Sequence, residues 1–249
     1  MLREMVIRNT RTLNKLTSPK LVNSISKYMY IRKLIDEFEI SLILDIGANI
    51  GQFGTSMREL GYTGTLVSFE PVAAQFAKLK AAASGDPNWI TLNCAAGVAD
   101  ETKSINVMSS SVFSSFNAPS KLQTSRFAET NAVVATESVK VRRLDGFIDE
   151  FGMRGKLKNC FLKSDTQGFD QNVLEGMGSY LNEIRVLQLE ISVTPIYENT
   201  VGMTDMLVYL QDRSFAPVAL FPINWLADWS AIELDYLGVN RSYDRAQAQ

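Results

Sequence analysis

Short apolar runs alternate with segments of helical period from residue 41 onward. The runs at 42–46, 64–69 and 89–92 are typical of buried strands. Between them, residues 51–60 and 72–83 place their apolar side chains on one face of a helix. Strands that alternate with helices indicate βαβ units, and therefore a parallel sheet with right-handed crossovers.

This alternation is interrupted in the middle of the chain. A predicted strand at 104–108 precedes residues 109–135, where the first 17 positions contain seven serines. Such a segment predicts a long loop with little helix, and loops of that length in a compact domain are usually functional or mobile. The alternation then resumes, with predicted strands at 138–141, 159–163 and 184–191, and predicted helices at 144–151, 169–181 and 204–212.

The last two predicted strands lie at 215–221 and 231–239. Their connection of about ten residues is too short for a crossover helix. It therefore predicts an antiparallel hairpin that closes one edge of the sheet. No internal repeat and no second domain is visible, so we expect one domain over residues 41–249.

The first 40 residues predict a basic helical extension. Residues 1–34 carry eight basic residues against the single acid Glu4, a net charge of +7 that leaves −9 for the remainder. After the helix-start signal Ser18-Pro19 there follows an apolar stripe of Leu21, Val22, Ile25 and Met29. Two interpretations remain open: residues 1–35 dock to an anionic lipid surface or an acidic partner, or they form a cap helix with a solvated basic face.

The amino-acid composition excludes several kinds of catalytic and metal site. The 249 residues are 46% hydrophobic and 21% charged, as in ordinary globular proteins, and the net charge of −2 gives no case for a nucleic-acid partner. Cys94 and Cys160 lack the spacing of a zinc site, and the absence of histidine excludes Ser-His-Asp, Cys-His and His-metal chemistry. No apolar run reaches the roughly 18 residues of a membrane span. We expect a reduced, cytoplasmic protein.

The strongest local signal lies at the first strand-to-helix junction. Gly47 and Gly51 allow a tight turn, and the following helix N-terminus offers free N–H groups. Asn49 stands where a dinucleotide fingerprint has its second glycine, which disfavours a nucleotide-dependent oxidoreductase.

Two acidic residues add to this signal. Asp45 ends the first strand, and its carboxylate suits a ligand that carries a cation, reached directly or through a bound water. Glu70 ends the second strand, where an acidic residue accepts hydrogen bonds from ribose hydroxyls. Together these residues favour an adenosyl ligand without a pyrophosphate, such as S-adenosylmethionine.

Four ordered segments carry a specific resemblance. These are ILDIGANIGQF, VSFEP, LKSDTQGFDQNVLEGM and LQLEIS, with a weaker fifth segment VRRLDGFIDEF. Over residues 41–200 the sequence resembles the FkbM family of S-adenosylmethionine-dependent methyltransferases. The resemblance implies an α/β class I methyltransferase fold, with a Rossmann-like seven-stranded sheet whose last strand is antiparallel and with helices on both faces. Ser164 departs from the family pattern, which more often has an apolar residue there.

The resemblance also implies site residues. The cofactor-binding set comprises Asp45, Gly47, Asn49, Gly51, Glu70, Pro71, Ala95, Ala96 and Asp165. The catalytic candidates are Asp165, as the preferred base for a hydroxyl acceptor, and Glu190, as the second choice. Two neighbouring carboxylates also leave open a site for Mg²⁺, whose ligands are oxygens.

The acceptor side is predicted with less detail. Ser115, Phe116 and Gln167 are the candidate substrate-binding residues, since hydroxyls and an aromatic ring suit a polyhydroxyl or sugar substrate; the serines are equally typical of a flexible linker. Trp225 and Trp229 either line the acceptor cleft or pack at the sheet edge. The resemblance implies O-methylation of a sugar, glycan or secondary metabolite, with an oxidoreductase on a Rossmann sheet and a non-catalytic adenosyl-binding domain as alternatives. The oligomeric state is left open.

Overall fold

The computed structural model describes residues 18–120, 127 and 129–243. Its first half contains helix α1 (Pro19–Glu37), strand β1 (Leu42–Ile46), helix α2 (Gln52–Glu59), strand β2 (Thr65–Phe69), helix α3 (Ala73–Ala82), and strands β3 (Trp89–Leu92), β4 (Ala95–Ala96), β5 (Glu101–Met108) and β6 (Val133–Arg142). Its second half contains helix α4 (Leu144–Glu150), strand β7 (Cys160–Ser164), helix α5 (Asp170–Glu175), strand β8 (Val186–Ser192), helix α6 (Met203–Asp212), and strands β9 (Phe215–Trp225) and β10 (Ala231–Asn240).

The main sheet has seven strands in the order β3-β2-β1-β7-β8-β10-β9. Strands β3, β2, β1, β7 and β8 pair in parallel. Strand β10 is antiparallel to both of its neighbours, because the final hairpin inserts its second strand beside β8. The expected class I methyltransferase sheet with its antiparallel last strand is therefore confirmed.

Helices cover both faces of this sheet. One core cluster includes residues of α4, α5 and α6, such as Phe147, Val173 and Met206. The other includes residues of α1, α2 and α3. Helix α1 belongs to the second cluster through Ile31, Leu34 and Ile35, whereas the stripe predicted from Leu21 to Met29 faces away from the sheet.

A second, three-stranded sheet was not expected. It has the order β4-β6-β5, and β6 extends from Val133 to Arg142 rather than over 138–141 alone. The prediction that residues 109–135 form one loop is therefore wrong at its end. The first five residues of β6 are exposed or half-buried on both faces, so the strand lacks the alternation that identifies strands from sequence.

The single helix predicted at 169–181 is also wrong. Helix α5 ends at Glu175, and a 3₁₀ turn at Gly178–Glu183 follows. Gly178 has φ +52°, a left-handed conformation that ends an α-helix. The apolar spacing continues across this break, which explains why periodicity alone predicts one longer helix.

Within the described ranges, no helix is long and apolar enough to cross a membrane.

Candidate functional site

A cleft of about 250 Å³ lies at the carboxyl ends of the parallel strands. Such clefts are where open α/β sheets bind ligands. The β1–α2 turn and the ends of β2 and β7 line one part of it. The 111–116 segment, α1, β4 and single residues of β5, β8 and β10 line other parts.

The glycine turn is shaped by its contact with β7. Gly47 has φ +73°, and a Cβ added there would lie 2.0 Å from the carbonyl oxygen of Asp165. The backbone N–H groups of Gly47 and Ala48 donate to the carbonyl oxygen of Phe69 at 3.1 and 2.9 Å. Glycine is therefore required at residue 47 by the close approach of two strand ends, and the resulting turn lines the cleft.

Glu70 lies at the carboxyl end of β2, as predicted. Its Oε2 accepts the N–H of Asn49 at 2.8 Å, and its Oε1 accepts the N–H of Val72 at 2.9 Å. Burial raises the pKa of Glu70 to about 7, although these two hydrogen bonds oppose the shift. The carboxylate lines the cleft together with Asn49 and Pro71.

Asp45 does not line the cleft, and the expected contact between its carboxylate and a cationic ligand group needs correction. The residue is fully buried, and its Oδ1 lies 3.1 Å from Nζ of Lys163. Ser68 donates to Oδ2 at 3.1 Å. Lys163 also donates to the carbonyl oxygen of Gly47 at 3.0 Å, so Asp45 supports the turn through that lysine.

Small side chains line the cleft beyond β3. Ala95 and Ala96 lie in β4, are buried and line the cleft. Gly97 follows, and a Cβ there would lie 2.8 Å from Cγ1 of Val141. The contact of this segment with an adenine ring stays a prediction.

Gln167 brings the two catalytic candidates together. It has φ +55°, and its Nε2 donates to Oδ1 of Asp165 at 3.0 Å and to Oε2 of Glu190 at 2.5 Å. Its Oε1 accepts from the Tyr197 hydroxyl at 2.9 Å. Asp165 reaches the cleft with 45% of its side chain exposed.

Glu190 lies behind Gln167, outside the cleft lining. Burial and the neighbouring charges of Glu233 and Asp165 raise the pKa of Glu190 well above its ordinary value. Glu190 is half-buried and hydrogen-bonded to Gln167, and it does not line the cleft, so Asp165 is the stronger candidate base.

The acceptor-side candidates lie in different positions relative to the cleft. Ser115 is buried, donates to the carbonyl oxygen of Gln167 at 2.7 Å and does not line the cleft. Its neighbours Ser114 and Phe116 line the cleft, as does Gln167. The ring of Phe116 lies 4.8 Å from that of Phe169. Trp225 and Trp229 do not line the cleft.

The cleft residues that the sequence reasoning missed include four from α1 and from the far strands of the sheet. Lys27 and Tyr28 come from α1, Gln188 from β8 and Asp235 from β10. Lys27 and Asp235 form an ion pair of 2.6 Å, and Gln188 donates to Asp235 at 3.4 Å. The sequence did contain a signal for Gln188 and Asp235, because both are polar residues within apolar runs. Buried strands seldom carry polar side chains that lack a structural or functional role.

Among the described residues, no group of three or more Cys, Asp or Glu side chains is arranged to hold a metal ion. The side-chain amide of Gln167 donates hydrogen bonds to both Asp165 and Glu190, and the two carboxylates do not surround a common metal position. The Mg²⁺ alternative thus finds no preformed ligand set in this part of the chain.

Several solved structures are distantly similar to this one. Fibrillarin from Aeropyrum pernix with natively bound S-adenosyl-L-methionine has TM-score 0.44 and 10% identity, covering 80% of this chain and 66% of its own. Magnesium protoporphyrin IX methyltransferase from Synechocystis PCC 6803, with bound SAM, has TM-score 0.46 and 9% identity, covering 88% and 80%. An rRNA methylase from Streptococcus thermophilus has TM-score 0.45 and 10% identity, covering 85% and 94%. No protein of curated function matches the sequence.

The family is shown by the sequence itself. The methyltransferase FkbM domain matches residues 45–217, which reach from the end of β1 into β9 and include the glycine turn, Glu70, Asp165 and Glu190. The chain belongs to the FkbM methyltransferase family.

Proposed function

We propose that this protein transfers a methyl group from S-adenosylmethionine to a hydroxyl of a sugar, glycan or secondary metabolite. Family membership supports methyl transfer. The observation that carries the hydroxyl acceptor is the carboxylate of Asp165, which is exposed to the cleft and supported from behind by Lys163 and Gln167.

The donor end of the cleft fits an adenosyl group. Glu70 keeps lone pairs that ribose hydroxyls can share, and Ala95 and Ala96 leave room for a flat ring. Gly47 and Asn49 lie in the turn before α2, and they line the donor end of the cleft together with Pro71. S-adenosylmethionine supplies a methyl group that its sulfonium charge already activates.

Asp165 is suited to remove the acceptor proton. Gln167 holds Oδ1, and Nζ of Lys163 lies 3.9 Å from Oδ2. The hydrogen bond from Gln167 fixes the orientation of the carboxylate. A positioned base of this kind contributes about 10²–10⁴-fold to a rate.

Gln188 supports an acceptor that donates hydrogen bonds. The residue is buried, it lines the cleft, and its Oε1 has no hydrogen-bond partner among the described residues. An unsatisfied buried acceptor costs about 1–3 kcal/mol, which a hydroxyl of the substrate relieves. The ring pair of Phe116 and Phe169 offers an apolar surface nearby.

The test replaces Asp165 by Asn in the full chain. Acceptor is supplied as fractionated cell extract with S-adenosylmethionine carrying a labelled methyl group. At saturating donor we expect the Asp165→Asn variant to transfer label at a rate lower by about 10²–10⁴-fold. Calorimetric titration with S-adenosylmethionine measures separately any loss of donor affinity in this variant. Glu175→Gln on the exposed side of α5 is the matched control and should transfer at the wild-type rate.

Two results would contradict the proposal. Full transfer by Asp165→Asn would exclude this residue as the base. Donor binding by the wild type without transfer to any fraction would favour the non-catalytic adenosyl-binding alternative.

A further inference from the structure

Three polar residues from separate elements form one connected group in the cleft. Lys27 comes from α1, Gln188 from β8 and Asp235 from β10, and all three line the cleft. Oδ2 of Asp235 lies 2.6 Å from Nζ of Lys27, and Oδ1 of Asp235 accepts from Nε2 of Gln188 at 3.4 Å. We call Lys27, Gln188 and Asp235 the outer cluster.

The outer cluster lies beside the candidate base. Gln188 is the register partner of Lys163 in the adjacent strand β7, so their side chains stand on the same face of the sheet. Nζ of Lys163 in turn lies 3.9 Å from Oδ2 of Asp165. Burial lowers the pKa of Lys27, but the carboxylates of Asp235 and Asp165 raise it, and the net shift is upward. The outer cluster and the candidate base therefore belong to one electrostatic site.

Two side chains of the outer cluster keep hydrogen-bonding capacity. Gln188 is only 4% exposed, yet its Oε1 has no hydrogen-bond partner among the described residues. The ammonium of Lys27 carries three donors, of which Asp235 accepts one. Because Asp235 contacts both side chains, the acceptor on Gln188 and the donors on Lys27 are neighbours. A ligand that meets both must accept and donate at adjacent groups, as two neighbouring hydroxyls do.

The charges of the cleft favour a neutral acceptor. Among the described residues that line it, the charged side chains other than Glu70 are those of Lys27, Lys163, Asp165 and Asp235. Two ammonium groups thus stand beside two carboxylates. A further charge on the acceptor would be buried without a partner of its own, which costs free energy.

We propose that the outer cluster binds two neighbouring hydroxyls of a neutral sugar or other polyol. Gln188 accepts a hydrogen bond from one hydroxyl, Lys27 donates to the other, and Asp235 holds both side chains in place. That this ligand is the methyl acceptor rests on the proposed function. Lys27 and Asp235 lie outside residues 45–217, which the FkbM domain matches, so parts of the chain on both sides of the family domain build this subsite.

The experiment measures sugar binding directly, without methyl transfer. The probes are the methyl glycosides of glucose, galactose and mannose, with methyl glucuronide as the charged analogue. They are titrated into the full chain with S-adenosylhomocysteine and followed by saturation-transfer difference NMR. We expect the wild type to bind at least one neutral glycoside. The double variant Lys27→Met with Asp235→Asn should bind it at least about tenfold more weakly, because it removes the donor without leaving an unpaired charge.

Gln188→Met separates a binding role from a structural one. This variant should also bind the glycoside more weakly, because the accepting oxygen is lost. Its melting temperature should equal or exceed that of the wild type, since a buried oxygen without a partner is removed. A residue that serves only the fold would show the opposite, a lower melting temperature with unchanged glycoside binding.

A second ion pair provides the matched control. Arg154 and Glu183 form a more exposed pair, and neither residue lines the cleft. The double variant Arg154→Met with Glu183→Gln should therefore bind the glycoside like the wild type.

Three results would overturn the proposal: no neutral glycoside binds the wild type, the outer-cluster variants bind it as tightly as the wild type, or the glucuronide binds more tightly than every neutral glycoside. Failure of the proposed function is distinguishable from these results. Glycoside binding that depends on the outer cluster, in a protein that transfers no methyl group, supports the subsite and contradicts methyl transfer. Methyl transfer without glycoside binding does the reverse.

Discussion

Gly47 shows how one position joins the fold to the site. It lies between β1 and the end of β7, and the backbone of Asp165 leaves no space for a side chain. We expect Gly47→Ala to lower the free energy of unfolding by about 1–3 kcal/mol more than Gly85→Ala. Both glycines have positive φ, but Gly85 has no atom within 4 Å of an added Cβ. Denaturation in urea measures both, and equal losses would contradict the account.

Sequence reasoning located the residues that end strands, because the carboxyl edge of a parallel sheet follows from the order of elements. Glu70 and Asp165 line the cleft for that reason. It did not predict that Asp45 and Ser115 are buried, in contact with Lys163 and Gln167 respectively. Those partners come from distant parts of the chain, and local patterns do not reveal them.

The hydroxyl of Tyr197 lies between Phe113, in the segment before β6, and Gln167 of the candidate site. Tyr197 is buried, and its hydroxyl lies 2.9 Å from both the carbonyl oxygen of Phe113 and Oε1 of Gln167, so its single proton is donated to one of these two acceptors. Loss of the hydroxyl removes this buried donor, so we expect Tyr197→Phe to cost about 1–3 kcal/mol of stability. Thermal unfolding provides the measurement.

Tyr236 provides the matched control for this prediction. It is fully buried, and its hydroxyl has no hydrogen-bond partner within the described part of the chain. Tyr236→Phe should therefore leave the melting temperature unchanged or raise it. A larger loss for Tyr236→Phe than for Tyr197→Phe would show that the hydroxyl of Tyr197 does not anchor the segment.

At the level of elements, buried strands were predictable and half-exposed ones were not. Strands β1, β7 and β8 are almost wholly buried and appear in the sequence as apolar runs. Strand β6 has an exposed first half, and α5 ends at a glycine pair that interrupts an otherwise helical spacing. Ser164, unusual for the family, is buried and donates to Oδ1 of Asp170 at 2.6 Å.

The buried acids predict how the whole molecule responds to pH. Burial raises the pKa of Glu70 and of Glu233 to about 7, and that of Asp170 to about 6. Because each folded-state pKa lies above the unfolded value, the folded protein binds more protons between pH 4.5 and 7. The free energy of unfolding should fall as pH rises across this window, as measured by urea denaturation.

One substitution tests how much Glu233 contributes to the pH dependence of the free energy of unfolding. Glu233→Gln removes a titrating group from the buried set, so the decrease between pH 5 and 7.5 should become shallower. Asp205→Asn at an exposed position of α6 is the control and should keep the wild-type slope. A wild-type stability that is constant or rises across this range would contradict the burial of these acids.

The central claim is that the cleft at the carboxyl edge of the sheet binds S-adenosylmethionine. Calorimetric titration at pH 8 with this donor, and separately with NAD, tests it most directly. We predict one donor site per chain, no detectable binding of NAD, and binding at least about tenfold weaker for Glu70→Gln but not for Glu59→Gln on the exposed side of α2. No heat with S-adenosylmethionine, equal binding of NAD, or unchanged affinity in Glu70→Gln would contradict the claim.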